Sequence, residues 1–315
     1  MLNSERIYML KRNPMNSTLK EVNQYLDQGN VTSAETSILE ILKDAVNVYH
    51  ERMIEKSKEN LFFAHYTSVQ VMHSILKKRI EGNYLRLYGA FSTNDPSEGL
   101  YLRDELANEY KWLKDAELST DAFICSFVSD GKGIGNRITY WQSYGRDGLG
   151  CSIQLPQNCS IKDSLYPILY GKEEADKVKY EFKDYLELGS KIHDFYTDKS
   201  EKENFATAFW KVFDKIKFSH KHEGYEYEKE YRMIKIPDTD GEIKDDFRSE
   251  NPYYRRYILD EELQANRLLT SGAEVFIGPR VTNGERLCEY FEKLAKEAKL
   301  DGVFTPSQIP YRKIG

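Results

Sequence analysis

The apolar residues of this chain fall in short runs, and the helical stretches between those runs differ widely in length. Leu61–Tyr66, Tyr84–Leu87, Ala122–Phe127, Gly148–Leu155, Pro167–Tyr170, Glu230–Ile236, Val275–Ile277 and Val303–Thr305 read as strands, with Ile258 in another. Each is too short for a globular helix; most are rich in β-branched or aromatic residues, and Gly148–Leu155 is entered through glycines. No regular strand–helix–strand alternation links them, so a doubly wound sheet is disfavoured and an α+β fold is expected. The 315 residues suffice for a sizeable core, in one large domain or two small ones.

Helical spacing dominates the two stretches between and before these runs. Thr18–Asp27 and Ser33–Lys56 carry apolar residues at helical intervals, including Ile38, Ile41, Leu42, Ala45, Val46 and Tyr49. Gly29-Asn30 separates them, and Thr32 or Ser33 is the expected cap. Residues 172–220 form a long charged helical stretch with an aromatic stripe at Phe205, Phe209, Trp210, Phe213, Ile216 and Phe218. Shorter helices are expected at Val69–Lys78, capped by Thr67-Ser68, at Leu100–Lys114, at Ile138–Tyr144 and at Gly284–Lys299. The predicted organisation is an N-terminal helical extension over 1–60 and an α+β domain over 61–315 with a helical insert at 172–220. The extension is a packing element of one domain or a surface for a partner.

Charge and cysteine content exclude several classes. The net charge of −6 provides no broad basic footprint for nucleic acid, although a local basic cleft remains compatible with it. Cys125, Cys151, Cys159 and Cys288 form no Cys-x-x-Cys pair, so neither a structural zinc site nor a disulfide scaffold is expected. No apolar run approaches the ~20 residues of a membrane span, and Met1–Lys20 lacks a signal-peptide core. The chain therefore reads as a cytoplasmic protein that does not enter a membrane.

Three motifs carry possible chemistry. In Glu228-Lys229-Glu230-Tyr231-Arg232, a strand would place Glu228 and Glu230 on one face about 7 Å apart, with Arg232 continuing that face and able to pair with Glu230. That arrangement suits acid–base work or stabilisation of a cation, and it equally suits a solvated charge ladder. His65 ends an apolar strand, either as a satisfied core residue or as a donor to a ribose or phosphate oxygen. Tyr140, Trp141 and Tyr144 can stack on a heteroaromatic ring or simply pack. The loop Gly131-Lys132-Gly133-Ile134-Gly135 lacks the Gly-Lys-Ser/Thr of a P-loop and the spacing of a dinucleotide fingerprint. Asn94-Asp95-Pro96 reads as a helix cap. No nucleophile elbow surrounds Ser126 or Cys125, which disfavours a hydrolase.

The order of these motifs resembles a bacterial family catalogued as domain of unknown function 2971. The resemblance runs through His65-Tyr66-Thr67-Ser68, Phe91–Glu98, Ile124–Phe127, Tyr140–Gly145 with Gly148–Cys151, Tyr227–Arg232, Phe276–Pro279 and Ile309–Arg312, and covers roughly 61–312. That pattern in turn is similar to ADP-ribosyltransferases, including DNA-modifying toxins of the DarT type. The resemblance implies a small split β-sheet core that grips NAD as co-substrate, with no metal. It implies Glu230 as the catalytic carboxylate, with Glu228 steering or deprotonating the acceptor. His65 and Thr67 would hold the adenosine ribose, and Tyr140 or Trp141 would stack on nicotinamide. Tyr66, Asn94, Asp95, Ser126, Tyr144 and Arg232 complete the implied cofactor-binding set. The implied function is a toxin or anti-phage effector that modifies DNA, RNA or protein, with an antitoxin or regulator engaging residues 1–60. The alternative is a non-catalytic module that senses a nucleotide or nucleic acid in the same cleft.

Overall fold

The computed structural model describes residues 17–55, 61–77, 83–90, 97, 99–117, 122–237, 242–246 and 255–311. The chain separates into two compact units, each drawn from three stretches. Met1–Lys56, Thr93–Ala122 and Ile168–Glu226 form one; Ser57–Ser92, Phe123–Pro167 and Tyr227–Gly315 form the other. This partition cuts across the expected division at residue 60. The N-terminal helices, the helical insert and the segment between them share one apolar cluster.

The first unit is helical. The N-terminal pair spans residues 17–27 and Val31–Glu55. Gly29 turns between them at φ 71°. The cap is Asn30, two to three residues earlier than the expected Thr32 or Ser33: its Oδ1 accepts from the Ser33 amide at 3.2 Å. Ala34, Ile38, Leu42 and Val46 recur every fourth residue, and all are buried. They share a core with Leu102, Leu106 and Leu113, and with the predicted aromatic stripe of Phe205, Phe209 and Phe213 on the later helices. Asp214 and Lys217 form an ion pair at 4% and 2% exposure near the end of that stripe. Two two-residue strands, Leu169–Tyr170 and His220–Lys221, pair in parallel at its margin.

The second unit is a mixed sheet flanked by helices. Its described residues form ten strands. With the helical unit's two short strands numbered in sequence as β6 and β7, these are β1 (Phe62–Ser68), β2 (Tyr84–Gly89), β3 (Phe123–Asp130), β4 (Gly150–Gln154), β5 (Tyr166–Pro167), β8 (Glu230–Lys235), β9 (Lys244–Asp246), β10 (Arg255–Gln264), β11 (Glu274–Ile277) and β12 (Val303–Pro306). The order is β12-β11-β4-β1-β3-β2-β10-β9, with β8 joining β3 to β5. Among the described residues only β11 and β12 run parallel in this sheet, and helix Gly284–Ala298 lies between them in sequence.

Period-two alternation gives the sheet two different faces. Phe63, Cys125, Phe127, Cys151, Ile153, Met233, Val275 and Ile277 face one side, against Met72, Ile75, Phe291 and Ala295 of the covering helices. The helix Val69–Leu76 starts where expected, with the Ser68 hydroxyl accepting from the Val71 amide at 3.1 Å. The other face carries Ala64, Tyr66 and Val128, packed with Ile134, Tyr140 and Trp141.

β3 is where the sheet forks. One of its edges pairs with β8 from Phe123 to Val128. On the opposite edge, β1 takes Val128–Asp130 and β2 takes Phe123–Ile124. Cys125–Phe127 therefore has no strand partner on that edge among the described residues.

Backbone packing at the end of β11 is tight enough to test. A Cβ on Gly278 would sit 2.3 Å from the Gly148 carbonyl oxygen and 2.9 Å from that of Gly150. Both obstacles are main chain, so no side chain can swing aside. Gly278→Ala is expected to destabilise by about 1–3 kcal/mol or more, read as a fall in thermal midpoint; an unchanged midpoint would contradict this packing.

Candidate functional site

The non-helical face of the sheet carries the chemistry. Glu230 and Arg232 stand two residues apart on β8 and point to the same side, as the strand reading required. Arg232 donates from Nε to Glu230 Oε1 at 2.6 Å and from Nη2 to Oε2 at 3.1 Å. The pair is bidentate and nearly closed to solvent, at 5% and 1% exposure. Across β3, Ser126 is the register partner of Arg232, and Val128 is that of Glu230. Tyr166 on β5 is the partner of Arg232 on its other side.

Glu228 does not share the strand. It closes a 3-10 turn over Glu223–Glu228, and Lys229 after it takes a left-handed φ of 45°. The expected Glu228/Glu230 spacing along an extended strand is corrected accordingly: the period-two argument fails where one residue leaves the β region. Glu228 is nonetheless buried, at 6% exposure. The left-handed turn frees the Lys229 side chain to reach Asp130, with Nζ 3.2 Å from Oδ2.

The aromatic residues divide into packed and facing members. Trp141 is fully buried; its Nε1 donates to Asn136 Oδ1 at 3.1 Å, and its ring meets Tyr66 edge-on at 4.9 Å. Tyr66 donates to the Ile134 carbonyl at 2.8 Å and accepts from the Arg137 amide at 3.3 Å. Both polar tips are thus occupied in holding the 134–137 turn against the sheet. Tyr140 and Tyr144 stack on each other, with centroids 6.3 Å apart and planes at 24°. The Tyr144 hydroxyl is closed to solvent and makes no hydrogen bond of good geometry. Burial first, and then the nearby Glu228 and Glu230 carboxylates, push its pKa far above the usual phenol range. Burial, followed by Asp130, raises Tyr140 in the same direction.

His65 lies on the other face of the sheet. Its ring packs against Phe127, with Cys125 Sγ 3.8 Å from Nδ1. Nδ1 is 2.8 Å from the Ser126 carbonyl oxygen. A carbonyl only accepts, so Nδ1 carries the proton. The imidazole thereby supplies the hydrogen bond that the fork leaves missing on β3. Burial lowers its pKa, against the opposing pull of that carbonyl. Thr67, two residues on, follows His65 to the same side of β1. The structure therefore brings Tyr66, Ser126, Tyr140, Trp141, Tyr144, Glu230 and Arg232 to one face and leaves His65 and Thr67 on the other. The expected ribose contact from His65 and Thr67 is corrected on that ground. Asn94 and Asp95 lie outside the described residues.

One group escaped the sequence reading. Asp130 accepts from the Gly131 amide at 2.8 Å and binds both Arg137 and Lys229. The signal was an Asp before Gly at a strand end, but its partners stand 7 and 99 residues away. No three His, Cys, Asp or Glu side chains gather as a metal site among the described residues. None of their helices is long and apolar enough to cross a membrane.

The family model described as "Protein of unknown function (DUF2971)" matches residues 140–233. The family read from the sequence is thus supported over the stretch that opens at Tyr140 and carries Glu230 and Arg232. No curated protein and no solved structure matches the chain.

Proposed function

We propose that the chain is an NAD-dependent ADP-ribosyltransferase of the split-sheet type, acting on a macromolecule as a toxin or anti-phage effector. One observation carries the reading: a buried carboxylate, Glu230, held in fixed orientation by Arg232 beside stacked tyrosines on one face of a forked sheet.

The chemistry follows from that geometry. Cleavage of the nicotinamide–ribose bond develops an oxocarbenium-like cation. A fixed carboxylate in a dry site stabilises that cation more than it stabilises the ground state. Burying a carboxylate is costly unless it is paired, and Arg232 supplies the countercharge. Tyr144, half-buried and backed by Tyr140, presents aromatic surface near it for the departing ring. In this reading Glu228 is the second carboxylate and orients the acceptor.

Nicotinamide release from NAD by the purified protein, with cell lysate supplied as acceptor, tests this reading. Glu230→Gln is expected to lower the rate by about 100- to 1,000-fold, and Glu228→Gln by less. Circular dichroism must show that each variant folds. Absence of release from the wild type would favour the second reading, a nucleotide-sensing module. The occupation of both Glu230 oxygens by Arg232 favours that alternative, which predicts nucleotide binding without turnover.

A further inference from the structure

The glycine-rich loop at residues 131–135 is excluded as a P-loop by its sequence, yet its surroundings are those of an anion site. We propose that the loop, together with Arg137 and Lys229, binds the diphosphate group of a ligand. Arg137 and Lys229 both contact the same oxygen of Asp130, so the two cations flank one negative charge. The cluster keeps one positive charge in excess, and the exposed Lys132 adds a second. The side chains of Arg137 and Lys229 are 42% and 56% exposed, so their remaining donors reach solvent.

The backbone points the same way. Gly133 adopts φ 84° and ψ 12°, and the amides of Lys132 and Gly133 have no acceptor among the described residues. Successive amides in such a turn form a concavity that accepts an anion. A Cβ on Gly133 would meet nothing within 4 Å, so the space over the loop is open. The turn is held from below by Tyr66, whose hydroxyl bridges Ile134 and Arg137, and by Gln154, whose Oε1 accepts from the Gly135 amide at 3.2 Å. Two adjacent cations and two adjacent amides match the oxygens of a diphosphate better than those of a single phosphate. Asp130 sets the spacing of the cations before the ligand arrives. The site deepens the dinucleotide reading, and it is testable apart from that reading.

Inorganic pyrophosphate is the probe, measured by calorimetry at low salt on the full chain. Wild-type protein should bind it more tightly than inorganic phosphate. Arg137→Ala and Lys229→Ala should each raise Kd about tenfold or more, the loss of one charge-assisted hydrogen bond. Both side chains are exposed, so these variants should fold. Gly133→Val should also weaken binding, because valine resists the left-handed backbone. No pyrophosphate binding by the wild type, or variants that bind as it does, would overturn the site. Nicotinamide release without pyrophosphate binding would sink this inference and spare the transferase. Loop-dependent pyrophosphate binding without nicotinamide release would do the reverse.

Discussion

Arg232→Met is expected to lower the free energy of unfolding by about 3–5 kcal/mol, because it strands the Glu230 carboxylate at 5% exposure. Methionine matches the length of the arginine stem but offers no countercharge. The double variant Glu230→Gln, Arg232→Met should recover much of that loss, since a neutral amide is far cheaper to bury than a charge. Urea unfolding of the four proteins gives the coupling directly. A loss below about 1 kcal/mol in the single variant would mean that water reaches Glu230 freely. The same cycle bears on function. If the pair orients a reacting carboxylate, the double variant should be stable and still release no nicotinamide.

The helical unit is expected to lose stability in mild acid. Burial, reinforced by Lys215, lowers His50 to about 4, and burial lowers His220 to about 4 against the opposing influence of the Ile216 carbonyl and Glu174. Both values lie below the unfolded reference of about 6.5. The folded state therefore keeps both imidazoles neutral while the unfolded chain protonates. The unfolded chain binds more protons between pH 6.5 and 4, so stability falls as pH drops through that window. By pH 5 each histidine should contribute about 2 kcal/mol of destabilisation. His65, also lowered by burial, adds to the trend in the sheet unit. Urea midpoints at pH 7 and pH 5 measure the effect, and His50→Gln with His220→Gln should flatten the difference. Equal midpoints for the unaltered chain would rule the mechanism out.

Much of the fold was legible because local signals and burial agree. The Ser68 cap, the Phe205/Phe209/Phe213 stripe and the Val275–Ile277 strand each announce themselves within a few residues. The Glu230–Arg232 pair was legible too, since alternation alone puts both on one side of β8. What escaped depends on contacts distant in sequence or on single dihedral angles. Lys229 reads as a strand residue, and nothing in Glu228-Lys229-Glu230 signals its left-handed turn. His65 reads equally as a satisfied core residue or as a ligand donor, and what decides between them is a gap on β3 some 61 residues away. Residues 244–246 were not read as a strand, because Lys244-Asp245-Asp246 has no β propensity and is ordered by pairing with β10. The two-unit partition was invisible for a similar reason: an amphipathic stripe does not say which other stripe will cover it.

That partition has a consequence for how the protein is made. Each unit is written in three instalments along the gene, and the instalments alternate. A ribosome that has delivered Val31–Glu55 has produced an apolar stripe whose later partners include Phe205 and Phe209, some 150 codons away. β3 likewise emerges about 100 residues before β8 can close its free edge. The helical unit is complete only at Glu226 and the sheet unit only after Tyr227–Gly315, so until then unsatisfied surfaces of both kinds coexist on the nascent chain. Contacts of such long sequence separation also slow folding after release. No single cut in the gene yields either unit whole, and deletion of 168–226 as though it were a dispensable insert would remove half of one core while leaving its first two parts uncovered.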